Sequence, residues 1–139
     1  MSATPEELIE AAGRWLRFAA EDLEAAEALQ SAPGVVARHV ATLAQQSAEK
    51  AVKAGLVSLD IHPPRTHNLE LLVDLLPDEW AVHESFADLA RLSLWLVESR
   101  YPGEWPETTA SDATDALVDA RDVLARMVSD LSARGVAAT

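Results

Sequence analysis

Apolar residues recur at spacings of three and four along most of the chain, which is the period of an α-helix with one buried face. The first such stretch begins at Thr4-Pro5, where Thr4 can cap a helix and Pro5 can occupy its first turn. The pattern predicts a helix from there to about Ser31. Its apolar positions are Leu8, Ala12, Trp15, Ala19, Leu23 and Ala26, and we expect Trp15 to lie in the core.

A second helical pattern follows the turn Ala32-Pro33-Gly34 and runs from Val35 to about Leu59. Gly55 interrupts it, and we expect the missing side chain to let another helix approach closely. The next residues, 60–65, read Asp-Ile-His-Pro-Pro-Arg. Because proline lacks the N–H donor and restricts the residue before it, this segment is predicted to be a rigid loop.

Three shorter patterns complete the chain. Thr66 can cap a short helix that ends at Pro77, a second amphipathic stretch spans Asp78–Ser99, and Ser111 can cap a final helix. The predicted buried positions are Leu69, Leu72, Val73 and Leu76 in the first, Phe86, Leu89, Leu92, Trp95 and Leu96 in the second, and Leu117, Val118, Val123, Leu124, Met127, Val128 and Leu131 in the third.

No alternating strand pattern competes with these helices, and the chain has no internal repeat. The predicted fold class is therefore all-α, an antiparallel up-and-down bundle of about five helices. A chain of 139 residues with 49% apolar content supports one core, so residues 1–139 are expected to form a single domain. The last few alanine-rich residues are predicted to be disordered.

The amino-acid composition excludes several classes of function. A net charge of −12 argues against broad coating of DNA or RNA, because such binding depends on many basic side chains. The absence of cysteine removes disulfides and thiolate metal sites. The sequence contains no apolar run long enough for a membrane span, and it starts with acidic residues rather than a basic leader, so we expect a cytoplasmic protein.

Two segments carry unusual polar residues. Gln46, Lys50 and Lys53 share one helical face and include both lysines of the chain. That face is either a binding surface or a solvated face with a weak Glu49–Lys53 pair. The loop after residue 99 contains Arg100, which suits phosphate, with Tyr101 and Trp105, which suit stacking; these segments are therefore the candidate binding site.

Three of the four histidines give no indication of a metal site. His39, His62 and His83 have no second histidine or carboxylate at a spacing that a metal favours, so we expect them at the surface. No metal or other cofactor is predicted.

Three segments, in order and spacing, resemble the HEPN domain family (higher eukaryote and prokaryote nucleotide-binding). They are Gln-Gln-Ser-Ala-Glu-Lys-Ala-Val-Lys-Ala at 45–54, Pro-Pro-Arg-Thr-His-Asn-Leu at 63–69, and Ser-Arg-Tyr-Pro at 99–102. The resemblance implies an antiparallel bundle, a homodimer, and a small nucleotidyltransferase as partner protein.

Many members of that family are metal-independent RNases whose signature is an arginine followed, after four to six residues, by a histidine. Arg100 matches the arginine, but residues 104–107 read Glu-Trp-Pro-Glu, so the histidine is missing. The chain departs from the RNase pattern at this point. The sequence therefore leaves open whether the protein is an enzyme.

Three functions follow from these residues. The first is a nucleotide- or RNA-binding regulatory module of a toxin–antitoxin-like pair, using Gln46, Lys50, Lys53, His67, Arg100, Tyr101 and Trp105. The second is an RNase toxin in which Arg100 contacts phosphate and His67 transfers protons, with control by its partner, for example through modification of Tyr101. The third is a purely structural helical dimer, in which the polar face of α-helical residues Gln46, Lys50 and Lys53 only sets the register and the loops pack for stability. Trp105 can equally serve as a dimer contact.

Overall fold

The computed structural model describes residues 2–98 and 102–139. These ranges hold five α-helices and no strand: α1 at Pro5–Gln30, α2 at Ala37–Ser58, α3 at Leu69–Val73, α4 at Phe86–Glu98 and α5 at Ala110–Ser132. A 3₁₀ helix at Ala81–Ser85 leads directly into α4. The prediction of an all-α bundle of about five helices is confirmed.

Helices α1 and α2 form the main antiparallel pair and pack on each other chiefly through alanines. Together with α5 they contribute what we call the alanine seam, the fully or almost fully buried residues Ala12, Ala19, Ala26, Ala41, Ala44, Ala48, Ala51, Ala54, Ala113, Ala116 and Ala120. A buried hydroxyl joins the pair, because Ser47 Oγ donates to the carbonyl oxygen of Ala19 at 2.7 Å. Small side chains thus bring the two backbones close together.

Helix α5 packs across α2 at Gly55. A β-carbon built at this position would lie 2.6 Å from Cε of Met127, 3.0 Å from the ring of Trp80 and 3.1 Å from Cδ2 of Leu76. The close approach expected from the glycine is therefore confirmed, and it involves α5 together with the segment that follows α3.

The first helix begins as its sequence predicts, since Thr4 Oγ1 accepts from the backbone N–H of Glu7. The predicted cap of the short helix was wrong. Asn68, not Thr66, caps α3 by accepting from the N–H groups of Glu70 and Leu71. Thr66 instead accepts from the N–H of Asn68, which fixes the approach to the cap.

The predicted start of the last helix was also wrong. Thr109 is the cap, and it forms a reciprocal capping box with Asp112: each side chain accepts from the backbone N–H of the other. Ser111 lies inside the first turn and is exposed. Thr109 has an acid three residues later, whereas Ser111 has Thr114 at that position, and the residue with the acid forms the cap.

The segment predicted as one helix over 78–99 is divided. Both carboxylate oxygens of Asp130 on α5 accept backbone hydrogen bonds, from Ala81 N at 2.8 Å and Val82 N at 3.2 Å. This anchors the 3₁₀ helix, and α4 begins only at Phe86. His83, predicted at the surface, is partly buried, with Nε2 2.9 Å from the carbonyl oxygen of Pro77.

Burial follows the predicted pattern on α4 better than on α5. Leu89 and Leu92 are buried as expected, whereas the side chains of Phe86 and Leu96 lie outside the described part of the structure. On α5, Val118 and Val128 are about half exposed rather than buried. Within the described ranges, none of the amphipathic helices is both long and apolar enough to span a membrane.

The end of the chain packs against α1 instead of being disordered as predicted. Val136 is buried in the core, and the backbone N–H of Thr139 donates to the carbonyl oxygen of Gly13 at 3.1 Å. A β-carbon at Gly13 would lie only 2.5 Å from the carbonyl oxygen of Ala137. Gly13 therefore makes room for this tail.

Candidate functional site

A buried carboxylate organises the face of α2 that carries the lysines. Glu49 is 7% exposed, and its side chain receives Gln45 Nε2 and Lys53 Nζ from one turn before and one turn after, at 3.2 and 2.9 Å. Its Oε1 also lies 2.8 Å from Nδ1 of His67. Gln45, Glu49, Lys53 and His67 are called the Glu49 cluster below.

The Glu49 carboxylate is charged at neutral pH. Burial is the largest single influence and raises the pKa of Glu49, but hydrogen bonds from Lys53, His67 and Gln45, with the charge of Lys53, together outweigh it and leave the pKa below its usual value. A charged carboxylate in the interior is tolerated because each of its oxygens has a donor. The cluster is therefore a paired site and not a solvated face.

His67 is fixed at one ring nitrogen and open on the rest of its side chain, which is 56% exposed. Because a carboxylate only accepts hydrogen bonds, Nδ1 must carry the proton that faces Glu49. Nε2 forms no hydrogen bond within residues 2–98 and 102–139, and in the neutral ring it is an acceptor. The backbone of His67 is also held, since its carbonyl oxygen accepts from Gln45 Nε2 at 3.4 Å.

Local structure holds the loop that carries His67. Asn68 begins α3, and the N–H of Leu69 donates to Ser93 Oγ on α4 at 3.1 Å. Pro63 and Pro64 precede His67 and limit the backbone freedom of this loop. The imidazole is thus presented from a loop attached to both α2 and α4.

The two lysines are not free cations. Lys50 Nζ lies 2.6 Å from the carboxylate of Asp22 on α1, and Lys53 pairs with Glu49. Lys53 Nζ also lies 5.9 Å from the ring centroid of Trp15, which packs partly buried against the core. Gln46 is half-buried and makes no hydrogen bond within the described residues. Any ligand of this face would have to compete with carboxylates already in place.

Arg100 and Tyr101 lie outside the described residues. Trp105 lies with its side chain 48% exposed in a groove of about 730 Å³ between α2 and the loop before α5. This Trp105 groove is lined by Val35, Val36, Ala37, Arg38, Pro102, Gly103, Trp105, Pro106, Glu107, Thr108 and Ala110. Among the described residues that line it, Arg38 and Glu107 are charged.

The structure does not bring Trp105 together with His67. Arg38 marks the groove at the start of α2, and Glu49 lies eleven residues later, which is roughly 16 Å along a helix axis. The residues predicted to form one binding site therefore lie in two separate regions: the Glu49 cluster, which includes His67, and the Trp105 groove.

Sequence reasoning missed the central role of Glu49 and the part of Gln45. The available signal was their spacing, since residues 45, 49 and 53 lie one turn apart on α2. It also missed Arg38, whose place beside Trp105 depends on the fold of a distant loop. His67 was singled out, and its hydrogen-bonding character is now assigned to a definite partner.

A second cluster of charged side chains links α4 to α5 and stabilises the packing of these helices. Arg91 donates to both carboxylate oxygens of Asp119, at 3.0 and 2.8 Å, and to Asp88 at 2.7 Å. Asp122 accepts from Ser85 Oγ at 2.7 Å. Burial, followed by a hydrogen bond with Asp122, raises the pKa of Asp88 to about 6.

The described helices form a bundle in which a buried carboxylate is paired with an exposed histidine beside a proline-containing loop. The family model of the HEPN domain matches residues 12–131, and the chain belongs to this family. No curated protein matches it.

Two solved structures share the fold. One, the crystal structure of TT1696 from Thermus thermophilus, is 25% identical with a TM-score of 0.75, covering 86% of this chain and 97% of that one. The other, ST0689, is described as an archaeal HEPN homologue; it is 27% identical with a TM-score of 0.68, covering 88% of this chain and 97% of that one. Membership in the family and the helical-bundle fold are thereby established.

Proposed function

We propose that this protein is a nucleotide- or RNA-binding regulatory module. The observation that carries the proposal is the exposed imidazole of His67, anchored at Nδ1 by the buried Glu49 carboxylate. Such an anchor fixes the ring before a ligand arrives, so little conformational entropy is lost on binding. The free Nε2 can then bond a ribose hydroxyl, or donate to a phosphate once the ring is protonated.

The charges of the chain limit binding to a local contact. Acidic residues number 23 against 11 basic ones, and both lysines already pair with carboxylates. Binding through few phosphate contacts depends only weakly on salt. We therefore propose recognition of a nucleotide or a short single-stranded segment, with Arg100 and Tyr101 adding contacts next to the described residues.

The proposal includes a homodimer and a small nucleotidyltransferase as the partner protein, in a toxin–antitoxin-like pair. Support comes from the resemblance to the family in three segments of the sequence and from the family membership of the chain. Co-expression with the neighbouring reading frame, followed by co-purification, tests the partner. Sedimentation of the protein alone tests the dimer.

The test of binding uses a fluorescently labelled short single-stranded RNA of mixed sequence and measures anisotropy at low salt. We expect His67→Ala to weaken binding by about tenfold, the effect of losing one good hydrogen bond at a charged group. His62→Ala is the matched control, because His62 is exposed on the same loop and has no hydrogen bond within the described residues. Equal affinities for both variants would remove His67 from the proposal.

A second candidate function, an RNase, is favoured by the same pair of residues. A histidine oriented by a carboxylate is suited to proton transfer. Nε2 of His67 would take the proton of a ribose 2′-OH while that oxygen attacks phosphorus. The P–O5′ bond then breaks, and the departing oxygen takes up a proton. Arg100 would stabilise the phosphate charge in this reaction.

The RNase is tested by cleavage of single-stranded RNA in the presence of a metal chelator, with wild type, His67→Ala and Arg100→Ala. Cleavage that resists the chelator and disappears in both variants supports the enzyme. RNA binding by the wild type without cleavage supports the regulatory module alone.

A further inference from the structure

The Trp105 groove has the size of a small-molecule site. Its volume of about 730 Å³ falls within the range of about 300–1,000 Å³ that ligand pockets occupy. One wall is the start of α2 with Val35 and Val36 before it, and the other is the loop at 102–110. The walls combine apolar residues with the polar side chains of Arg38, Glu107 and Thr108.

Arg38 is a free cation at this groove. Arg17, Arg91, Arg121, Arg126 and both lysines form ion pairs in the described residues. Arg38 is exposed and forms neither an ion pair nor a hydrogen bond through its side chain with any residue in 2–98 or 102–139. In a chain with a net charge of −12, an arginine left without a carboxylate at a cavity favours an anionic ligand.

The helix that carries Arg38 adds positive potential at the same place. Helix α2 begins at Val36 without a side-chain cap and has no acid in its first turn. By contrast α1, α3 and α5 each have a side-chain cap and an acid in the first turn. The N–H of His39 donates to the carbonyl oxygen of Val36, so the N–H groups of Ala37 and Arg38 are the ones left for water or a ligand.

Trp105 supplies an aromatic face. Its side chain is 48% exposed although it is large and apolar, and prolines at 102 and 106 stiffen the loop around it. Gly103 adopts φ +85°, a conformation that permits the turn before the ring. An exposed ring held by a stiff loop is suited to stacking on a nucleobase.

We infer that the Trp105 groove binds one purine nucleotide unit, with the base stacked on Trp105 and the phosphate held by Arg38. The carboxylate of Glu107 can accept from the amino group of adenine or guanine. The inference rests on the proposed function and deepens it, because it assigns the base to a region separate from His67. The nucleotide is either free or part of a single-stranded RNA, since both present the same base and phosphate.

The experiment measures the affinity of adenosine 5′-monophosphate, adenosine and a short oligoadenylate for the full chain by calorimetry. Trp105→Ala is expected to weaken all three by about tenfold or more, as loss of base stacking does. Arg38→Ala is expected to weaken the monophosphate and the oligonucleotide by about tenfold but adenosine by less than about twofold. Arg14→Ala, an exposed arginine of α1 without an ion pair in the described residues, is the matched control for charge.

A monophosphate that binds as tightly as the oligonucleotide identifies a free nucleotide as the ligand, and much tighter oligonucleotide binding identifies RNA. Wild-type affinities in both Arg38→Ala and Trp105→Ala would overturn the inference; if His67→Ala still weakened RNA binding, the proposed function would stand. No binding of any of the three ligands by the wild type would also overturn the inference, and the anisotropy measurement with RNA of mixed sequence would then decide the proposed function separately. A Trp105→Ala protein that loses its dimer but keeps its ligand affinity would make the groove a dimer contact and also overturn the inference.

Discussion

Nδ1 of His67 lies 2.8 Å from Oε1 of Glu49, while the other oxygen of that carboxylate receives Lys53 at 2.9 Å. One side chain on α2 therefore holds both a neighbouring turn of its own helix and the loop before α3. Glu49 is for this reason a positioning residue for His67, and its removal should affect the stability of the bundle as well as the site.

Replacing Glu49 by Gln is expected to lower the free energy of unfolding by about 1–3 kcal/mol. The amide cannot accept from Lys53 and His67 as the carboxylate does, and it leaves the half-buried Lys53 ammonium without its partner. Urea unfolding followed by circular dichroism measures the change. Glu24→Gln, at an exposed position of α1, is the matched control and should change stability by less than about 0.5 kcal/mol.

The same variant changes the response to acid. The pKa of Glu49 is lower in the folded protein than its ordinary value of 4.5, so the stability it contributes is present above that value and is lost as the pH falls through the folded pKa. We expect the wild type to lose its advantage over Glu49→Gln as unfolding is measured from about pH 6 towards about pH 3. An advantage that stays constant over this range would contradict the lowered pKa.

For Asp88 we expect the opposite dependence of stability on pH, at a higher pH than for Glu49. The pKa of Asp88 is raised from 3.8 to about 6 in the folded protein, so its stabilising effect is complete below about 3.8 and is lost as the pH rises through about 6. Asp88→Asn keeps a neutral group that can donate to Asp122. It should therefore show a smaller decrease in stability between about pH 4 and pH 6 than the wild type. Asp74 is exposed at the end of α3, and the stability of Asp74→Asn should decline in parallel with that of the wild type. A parallel decline in Asp88→Asn would refute the raised pKa of Asp88.

Gly55→Val is expected to lower the free energy of unfolding by about 2–3 kcal/mol, through overpacking between α2 and α5. The added β-carbon alone would lie 2.6 Å from Met127 and 3.0 Å from Trp80, and both neighbours are buried. Thermal and urea unfolding measure the loss. Ala25→Val, on an exposed part of α1, measures how much of the loss in free energy of unfolding comes from placing a β-branched residue in a helix. Losses of equal size in the two variants would show that packing at Gly55 is unimportant.

The cap of α5 gives a direct test of the two competing residues. Thr109→Ala removes one half of the capping box and should cost about 1 kcal/mol of stability. Ser111→Ala should leave stability within about 0.5 kcal/mol, because Ser111 is exposed inside the first turn. A larger effect at Ser111 than at Thr109 would mean that the helix starts later than Ala110.

The sequence was sufficient where a signal is local. Thr4 caps α1 because the residues after it, Pro5, Glu6 and Glu7, all suit the first turn of a helix. Periodicity then located the helices and most of their buried positions. Periodicity did not predict the start of α4, because this start depends on a residue far away in the sequence. Asp130 on α5 accepts hydrogen bonds from the N–H groups of Ala81 and Val82, and α4 begins only after them.

The candidate site was predictable as a set of residues but not as an arrangement. The Glu49–Lys53 pair was predicted from the spacing on α2, yet the contact of Glu49 with His67 becomes evident only when the loop at 63–68 folds against α2. Likewise Trp105 and His67 were assigned to the same binding site, whereas Trp105 lines a groove with Arg38. Spacing along a chain gives the neighbours on one helix and leaves contacts between a helix and a remote loop undetermined.

The alanine seam has a consequence for how this protein responds to temperature. Each of these buried side chains exposes only a single methyl group when the chain unfolds, much less apolar area than a leucine would. Because newly hydrated apolar surface is what raises the heat capacity, the increase on unfolding should fall at the low end of about 12–15 cal/mol/K per residue. The curve of stability against temperature is then broad and shallow, and the folded state weakens only gradually on either side of its optimum.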